Sequence, residues 1–378
     1  MTGRGSSEVT KPRLMVVKVG SSTLVDDAGA LDRGFVRSLC DQVARLVSDG
    51  TRVVVVSSGA AAAGRDVLGF RERPSDIATL QACASAGQAR LTQAYADVLA
   101  ERDIPCGQVL LTRRDVMDRD GFLNARTTLE RLLELGAVPV VNENDTVSTA
   151  EFAFGDNDML GALVAALVGA DLYVICSDVD GLYTANPQED PSATLVERVS
   201  EVDQRVSEMA GGAGTSYGTG GMSSKLRAAR AMLAVGIPTV ICRGRRDDVL
   251  IEVARGESVG TRFEAPEGAP HEGGRKLWIG LAEVPRGTIV LDEGATRAVL
   301  ERGASVLPVG VRSTSGSYEA GDVVTVRSEA GDLLGRGVAR YSSDDMERVR
   351  GVKLDIVARF LGPERAQPAV HRDDLLVL

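Results

Sequence analysis

The sequence predicts an α/β protein, with a three-layer αβα sandwich around a mostly parallel sheet and a small β-barrel after it. Between residues 14 and 242, short β-branched runs alternate with longer segments of helical periodicity. This alternation is typical of a parallel sheet that is covered on both faces. A stretch rich in Gly, Pro and Glu then interrupts the pattern, and short strands with Gly-rich turns follow it. Such a series of short strands indicates a barrel.

The first part of the chain contains six predicted strands and five predicted helices. The strands are short apolar runs at residues 14–19, 53–57, 107–111, 138–141, 172–176 and 239–242. The helices have apolar residues at helical spacing and cover residues 32–48, 77–101, 121–135, 159–168 and 222–235. Because ligands of such sheets bind beyond the carboxyl ends of the strands, we expect the functional site there.

The last hundred residues follow a different pattern. Strands are predicted at residues 276–282, 288–291, 305–311, 322–326 and 333–340, with one helix at residues 295–302. We therefore divide the chain into a disordered tail (1–11), an αβα domain (12–263), a linker (264–274), a barrel (275–360) and a C-terminal tail (361–378).

Composition excludes several classes of function. The chain has 43 basic and 53 acidic residues, a formal charge of −10, which argues against a general binder of nucleic acids or membrane surfaces. No apolar run reaches the roughly 18 residues of a membrane span, and residues 1–11 lack the apolar centre of a signal peptide, so we expect a cytoplasmic protein. With only two histidines, His271 and His371, histidine triads and most zinc sites are excluded.

Two acidic, amide-rich loops stand out in an otherwise apolar stretch. The first is Asn142-Glu-Asn-Asp145, after the predicted strand at 138–141, and the second is Gly155-Asp-Asn-Asp158, before the helix at 159–168. These loops indicate a site for a polar ligand that carries an amine. The simpler alternative is that one of Asp156, Asn157 or Asp158 caps the helix.

Several further segments suit an anionic ligand. Lys18 ends the first strand and precedes a small-residue turn, and Ser58 ends the second strand before another turn. Residues 211–225 contain six glycines and end in Lys225 at a helix start, which favours phosphate, although a surface loop with a solvated lysine is the alternative. Asp178 follows the fifth strand and is either part of this rim or an ordinary turn residue.

In combination these segments resemble the amino acid kinase family, and within it the members that phosphorylate free glutamate. The resemblance covers nearly the whole chain. Its motifs are, in order, Val17–Ser22, Ser57–Ala60, Leu110–Arg113, Phe122–Arg126, Val141–Asp145, Gly155–Asp158, Gly181–Thr184 and Gly218–Lys225. The C-terminal part, with Gly287–Ala295, Gly303–Gly310, Gly321–Val324 and Gly337–Tyr341, resembles the PUA barrel that many members carry. The resemblance therefore implies an amino acid kinase fold followed by a PUA-like domain.

The resemblance also implies a reaction and a set of residues. The reaction is the ATP-dependent phosphorylation of the γ-carboxylate of L-glutamate to L-glutamyl 5-phosphate and ADP, the first step of proline biosynthesis. ATP is the co-substrate, and Mg²⁺ is expected to arrive bound to it. Lys18 and Lys225 are implied to contact the ATP phosphates, and Asp156 to organise both lysines. The residues implied to hold glutamate are Ser58, Asp145 and Asn157, and those beside the nucleotide are Ser177, Asp178, Thr219, Gly220, Gly221, Met222, Ser223 and Ser224.

Partners are implied in the same way. Members of the family form dimers or tetramers, proline is expected as a feedback inhibitor, and glutamyl phosphate reductase is a candidate protein contact. The nearly balanced charge of the barrel argues against strong RNA binding. The alternatives are kinases of the same fold that act on aspartate, N-acetylglutamate, carbamate or a nucleotide, and an RNA-binding or regulatory protein that senses a metabolite. Asp145, Asn142, Asn144 and Asn157 favour an acceptor with a free α-amino group.

Overall fold

The computed structural model describes residues 11–26, 29–112, 115–116, 119–148, 157–210, 221–264, 285–362 and 365–377. The chain divides into two compact units, residues 1–271 and 272–378. The division falls inside the stretch 264–274 that the sequence predicts as a linker. Each unit has its own hydrophobic core.

The first unit is built on an eight-stranded sheet. Its strands are β1 (Leu14–Val19), β2 (Arg52–Ser57), β3 (Cys106–Leu111), β4 (Val138–Glu143), β5 (Leu172–Ser177), β6 (Arg198–Val199), β7 (Thr239–Arg243) and β8 (Thr261–Phe263). They lie in the order β3-β4-β2-β1-β5-β7-β8-β6. The neighbouring pairs run parallel except for β7 and β8, which run antiparallel. The prediction of a mostly parallel sheet is confirmed.

Helices flank this sheet. The described ones are α1 (Ser21–Leu24), α2 (Arg33–Ser48), α3 (Ala60–Val67), α4 (Ile77–Ala100), α5 (Arg119–Glu134), α6 (Asn157–Val168), α7 (Gln204–Met209), α8 (Met222–Ala234) and α9 (Val249–Ala254). The six predicted strands correspond to β1–β5 and β7, and the five predicted helices to α2, α4, α5, α6 and α8, with ends that differ by at most two residues. The agreement follows from burial, because β1, β4 and β5 are buried along their whole length and are apolar except near their carboxyl ends. No described helix is both long enough and apolar enough to cross a membrane.

Helices α3 and α4 pack unusually closely, glycine against glycine. A Cβ atom on Gly64 would lie 1.6 Å from the carbonyl oxygen of Cys83, and one on Gly87 would lie 1.9 Å from that of Ala60. Only glycine allows two helix backbones to approach this far. The contact sets the position of the first turn of α3, directly after β2.

The second unit contains a five-stranded sheet with the order β10-β9-β11-β12-β13. Its strands are β9 (Gly287–Leu291), β10 (Val311–Gly316), β11 (Val323–Ser328), β12 (Leu333–Val338) and β13 (Leu375–Val377). Its helices are α10 (Glu293–Arg302), α11 (Ser343–Val349) and α12 (Leu354–Leu361), with 3-10 turns at Pro308–Gly310 and Arg372–Asp374. Strands β9 and β11 are parallel and the other pairs antiparallel. This sheet is consistent with the predicted PUA-like barrel.

Two parts of the second unit differ from the prediction, and a third lies outside the described residues. The predicted strand at 305–311 is wrong, because Pro308 and Gly310 lie in a 3-10 turn and the strand begins only at Val311. The stretch 361–378, predicted as a tail, contains β13, which pairs with β12. Val370 and Leu376 of the same stretch are fully buried. The predicted strand at 276–282 lies outside the described residues.

Candidate active site

A cavity of about 690 Å³ lies at the carboxyl ends of the central strands of the first unit. Strands β1, β2, β4 and β5 end at its wall, together with the beginnings of α3, α6 and α8. The predicted site residues that line it are Lys18, Ser58, Asp145, Asn157, Ser177 and Lys225. The structure thus brings residues from six separate segments of the chain to one place.

Two lysine side chains meet on one carboxylate in this cavity. Lys18, one residue before the end of β1, places Nζ 2.5 Å from Oδ1 of Asp158. Lys225, in the first turn of α8, places Nζ 3.3 Å from Oδ2 of the same carboxylate. The hydroxyl of Ser224 also donates to Oδ2, at 2.7 Å. Among the described groups of this cluster, two ammonium groups face one carboxylate, and this excess of positive charge suits a phosphate.

Burial strengthens the electrostatic attraction between Asp158 and the two lysines. The side chain of Asp158 is fully buried, and those of Lys18 and Lys225 are 4% and 7% exposed. Burial raises the pKa of Asp158, but the ammonium groups of both lysines and the hydrogen bonds from Lys18 and Ser224 outweigh it. The pKa of this carboxyl therefore lies below its usual range, and Asp158 is ionised at neutral pH.

The beginning of α6 holds Asp158 in place. The hydroxyl of Tyr173, on β5, donates to the backbone carbonyl of Asp158 at 2.7 Å. A Cβ atom on Gly161 would lie 2.3 Å from that hydroxyl, so glycine is needed at this turn of the helix. Contacts between strand β5 and helix α6 therefore hold Asp158 in place independently of the two lysines.

At the other end of the cavity, Asn157 connects three backbone segments. Its Nδ2 group donates to the carbonyl of Ser57, to Oγ of Ser58 and to Oδ1 of Asn142, each at 2.9 Å. Because Nδ2 is the donor of this amide, Oδ1 is the atom with which Asn157 can accept from a ligand. Because Oγ of Ser58 accepts from Asn157, its hydrogen can be donated to a ligand carboxylate.

The first turn of α3 adds further donors beside Ser58. Gly59 precedes it with a φ of +90°, and no side chain caps the helix. Ala60, Ala61 and Ala62 line the cavity. Uncapped N–H groups at a helix start favour an anion, so Ser58 and this turn together are suited to a carboxylate.

Asp145 supplies a negative charge at the same end. Burial, and to a lesser degree the neighbouring Glu143, raises the pKa of Asp145 to about 6. The carboxylate of Glu143 itself accepts a hydrogen bond from Ser148 at 2.8 Å. An ammonium group near Asp145 would stabilise its buried negative charge and lower its pKa again, which favours an amine-bearing ligand.

The predicted nucleotide residues occupy the other rim. Ser177 is buried at the end of β5 and donates to Asp178 at 3.0 Å, while Asp178 is exposed. Helix α8 begins at Met222, and Gly221 at its N-cap position provides no side-chain hydrogen bond to the helix. Ser223 is exposed and Ser224 is buried against Asp158. Asp156, Thr219 and Gly220 lie outside the described residues.

Sequence reasoning missed the role of Asp158. The resemblance assigns the organisation of both lysines to Asp156, whereas the described carboxylate that contacts them is Asp158. The signal was present, since Asp158 follows directly after Asn157, but the sequence does not show which side chain of the turn faces the lysines. Among the described residues no group of three His, Cys, Asp or Glu side chains is placed to hold a metal ion.

Comparison with known proteins agrees with this geometry. A model of the amino acid kinase family matches residues 13–243, and a model of the PUA domain matches residues 287–361. Full-length relatives are named glutamate 5-kinase. The chain is 44% identical to that of Geobacter sp. strain M21, over 97% of this chain and 98% of the relative. It is 42% identical to that of Vibrio vulnificus strain YJ016, over 100% and 99%, and 45% identical to that of Salmonella newport strain SL254, over 96% and 98%.

Proposed function

The chain belongs to the amino acid kinase family, and we propose that it transfers the γ-phosphoryl group of ATP to the γ-carboxylate of L-glutamate. The products are L-glutamyl 5-phosphate and ADP, in the first step of proline biosynthesis. Full-length relatives at 42–45% identity that are named glutamate 5-kinase support this substrate pair. The observation that carries the proposal is the pair of buried lysines held by Asp158 in the same cavity as an amine- and carboxylate-binding end.

The chemistry needs no general base. A glutamate γ-carboxylate has an ordinary pKa of about 4.3, so it is an ionised nucleophile at neutral pH. One of its oxygens forms a bond to the γ-phosphorus while the bond from that phosphorus to the ADP oxygen breaks. The protein has to align the two substrates and to stabilise charge on the phosphoryl oxygens.

The two lysines supply that charge stabilisation. Asp158 keeps both ammonium groups in place before the nucleotide binds, so little reorganisation is needed during the reaction. We propose that Lys18 and Lys225 contact the transferred phosphoryl group and its neighbours, and that Ser177, Asp178 and the start of α8 hold the nucleotide. Mg²⁺ enters as part of the substrate MgATP and neutralises further phosphate charge.

The acceptor end recognises a free amino acid. Asp145 and Oδ1 of Asn157 take the α-ammonium group, and Ser58 with the first turn of α3 takes a carboxylate. An N-acetylated substrate has no ammonium group to pair with Asp145, so its binding would leave that carboxylate buried without a partner. We therefore expect free glutamate to be preferred over N-acetylglutamate.

An acceptor assay tests the proposal. Purified protein with MgATP is offered glutamate, aspartate or N-acetylglutamate in the presence of hydroxylamine, which converts an acyl phosphate into a hydroxamate. We expect ADP and hydroxamate to form together with glutamate and much more slowly with the other two. Equal or faster turnover of N-acetylglutamate would contradict the substrate assignment.

A pair of lysine variants links the reaction to this cavity. Lys225→Ala should lower kcat by about a hundredfold or more, because it removes a charge that faces the transferred phosphoryl group. Lys11→Ala, which removes an exposed lysine paired with Asp49, should leave turnover unchanged. Near wild-type turnover in Lys225→Ala would rule out this role.

We also propose the regulation and partners that the family suggests. Proline shares the α-amino and α-carboxyl groups of glutamate, so it should compete at Asp145, Asn157 and Ser58; an unchanged rate at subsaturating glutamate would contradict this. A dimer or tetramer, measurable by sedimentation, and a cytoplasmic location are further proposals. We propose finally that the protein binds glutamyl phosphate reductase and passes the labile acyl phosphate to it directly. Co-sedimentation of the two proteins tests this contact.

A further inference from the structure

We propose that Gln88 is a positioning residue for the acceptor end of the cavity. It fixes the amide of Asn142 in one orientation and, through Asn142, sets which atoms of Asn157 and Ser58 face the ligand. Gln88 lies on α4 and is 9% exposed. The inference rests on the proposed function for its kinetic readout, which uses glutamate.

A continuous chain of hydrogen bonds carries the inference. Oε1 of Gln88 accepts from Nδ2 of Asn142 at 2.7 Å. Oδ1 of Asn142 then faces the other way, where it accepts from Nδ2 of Asn157 and from the backbone N–H of Glu143, both at 2.9 Å. Asn142 is only 2% exposed, so water has little access to replace a lost partner.

Gln88 is hydrogen-bonded on its far side as well. Its Nε2 group donates to Oγ1 of Thr92 at 3.1 Å, and Thr92 also accepts from Nε2 of Gln108 at 3.0 Å. With its nitrogen directed to Thr92, Gln88 can present only its oxygen to Asn142. The order of donors and acceptors is fixed at Asn142, because the backbone N–H of Glu143 can only donate to Oδ1, which leaves Nδ2 to donate to Oε1 of Gln88.

This order decides the chemistry at the ligand. If the Asn142 amide turned over, its Nδ2 group would meet the donors of Asn157 and Glu143. Asn157 would then lose one of the three acceptors that keep its nitrogen on the protein side and its Oδ1 toward an ammonium group, and its hydrogen bond to Ser58 would weaken. Gln88 thus acts on the ligand through Asn142 and does not contact the reacting atoms.

Two substitutions at Gln88 separate this role from simple packing. Methionine has a similar length but no carbonyl, so Gln88→Met leaves Asn142 without its acceptor, and KM for glutamate should rise about tenfold. KM for ATP should stay within about twofold and kcat within about threefold, since the lysine pair is untouched.

Glutamate at the same position should restore the function. Gln88→Glu keeps an oxygen toward Asn142, and the Thr92 hydroxyl can rotate to donate to the other oxygen, so KM for glutamate should stay within about threefold of wild type. A side chain that only fills space predicts the opposite order, because a core tolerates methionine better than an added charge. The opposite order would overturn the inference.

Matched variants control for folding. Gln93→Met, on the exposed face of α4 where Gln93 donates to Asp97, should change none of these constants. Should Gln88→Met fail to fold, Thr92→Val releases the Gln88 amide more mildly and should raise KM for glutamate about threefold. An unchanged KM in Thr92→Val would then overturn the inference.

A readout without turnover separates this inference from the proposed function. A wild-type protein that does not phosphorylate glutamate would contradict the proposed function alone. In that case the NMR signals of the Asn142 and Asn157 side-chain amides decide the inference. They should shift in Gln88→Met and not in Gln93→Met, and equal spectra for both variants would overturn it.

Discussion

A buried carboxylate, that of Asp158, contacts both lysines of the cavity. It contacts Lys18 at 2.5 Å and Lys225 at 3.3 Å, from a position fixed by Tyr173 and the start of α6. Without ligand, this carboxylate is the counter-charge that both buried ammonium groups share. With ATP bound, the phosphates supply additional negative charge, so the importance of Asp158 for stability should depend on the nucleotide.

Substitution of Asp158 tests that dependence. Asp158→Asn removes the carboxylate that both buried ammonium groups contact, and the free energy of unfolding should fall by about 3 kcal/mol. Thermal unfolding should show a lower Tm, with a deficit that shrinks at saturating MgATP. The surface variant Asp248→Asn, which breaks an exposed pair with Arg45, should cost at most about 0.5 kcal/mol. A deficit in Asp158→Asn that MgATP leaves unchanged would contradict the shared-charge role.

Asp145 predicts a pH dependence of glutamate binding. Its pKa of about 6 belongs to the protein without substrate, where burial disfavours the carboxylate. Below pH 6 the group becomes protonated and loses the charge that pairs with the α-ammonium of glutamate. We expect kcat/KM for glutamate to fall about tenfold per pH unit below 6, while kcat at saturating glutamate changes less. A pH profile that is the same in Asp145→Asn would contradict this role.

The Asp145 carboxylate should favour glutamate binding but lower the stability of the protein without substrate. The folded-state pKa of Asp145 is raised above its ordinary value of 3.8, so its charged form costs stability above pH 6, and the cost disappears as pH falls toward 4. Asp145→Asn should therefore raise the free energy of unfolding by about 1 kcal/mol at pH 8 and have little effect near pH 4. Denaturant unfolding at both pH values measures this, and a stability loss at pH 8 would contradict it.

Individual site residues differ in how far the sequence predicts them. Lys18 and Ser58 were predictable because each lies at the carboxyl end of a buried strand of a parallel sheet, where ligands bind. The contact of Asp158 with both lysines was not, because it depends on which way the first turn of α6 faces. Gln88 gave no signal at all, since one polar residue in a helix rich in alanine is ordinary until its partner Asn142, 54 residues away, is known.

Among the elements, the α3–α4 pair shapes the acceptor end most directly. Gly64 and Gly87 allow backbone contact between the two helices, and the first turn of α3 lines the cavity. The sequence predicted α4 but gave only the start of α3, as a small-residue turn after Ser58. The close approach of the two helices was not predictable, because glycines in a helical pattern have several uses.

A methyl group at this contact should disturb binding at the acceptor end. In Gly64→Ala the added carbon would overlap the Cys83 carbonyl, so α3 must shift, with a loss of about 1–3 kcal/mol in unfolding free energy. KM for glutamate should rise more than KM for ATP. The control is Gly294→Ala in α10 of the second unit, where the nearest atom lies at 3.4 Å, and it should leave both constants unchanged. Equal KM values in the two variants would contradict the role of the contact.

Strands of the two units were predictable to different degrees. In the first unit the central strands are buried on both faces, so their apolar runs match their bounds closely. In the second unit β10 lies at a sheet edge with mostly exposed, polar residues from Arg312 to Gly316. Before it, Val306 and Pro308 are buried and Leu307 and Val309 are exposed, and the segment is not a strand because Pro308 cannot donate to a ladder. The strand at 305–311 was predicted from apolar side chains, whereas strand pairing depends on backbone groups that are free to form hydrogen bonds.

For the first unit as a whole, the order of strands separates the two substrates. The carboxyl ends of β4 and β2 bring Asn142 and Ser58 to one side of β1, and β5 ends at Ser177 on the other. Lys18 on β1 lies between them, together with Lys225 from the start of α8. A glutamate on the β2–β4 side and ATP on the β5 side would meet at this lysine pair. The fold itself therefore predicts direct transfer from ATP to the carboxylate.

Isotope transfer measures this direct step. Glutamate labelled with ¹⁸O in its γ-carboxylate is incubated with MgATP and protein, and hydroxylamine traps the acyl phosphate by attacking its carbonyl carbon. If the carboxylate oxygen attacks the γ-phosphorus, the released inorganic phosphate carries one ¹⁸O for each ADP formed. Unlabelled phosphate at the same rate of ADP release would mean that water attacks ATP, and would contradict phosphoryl transfer to glutamate in this cavity.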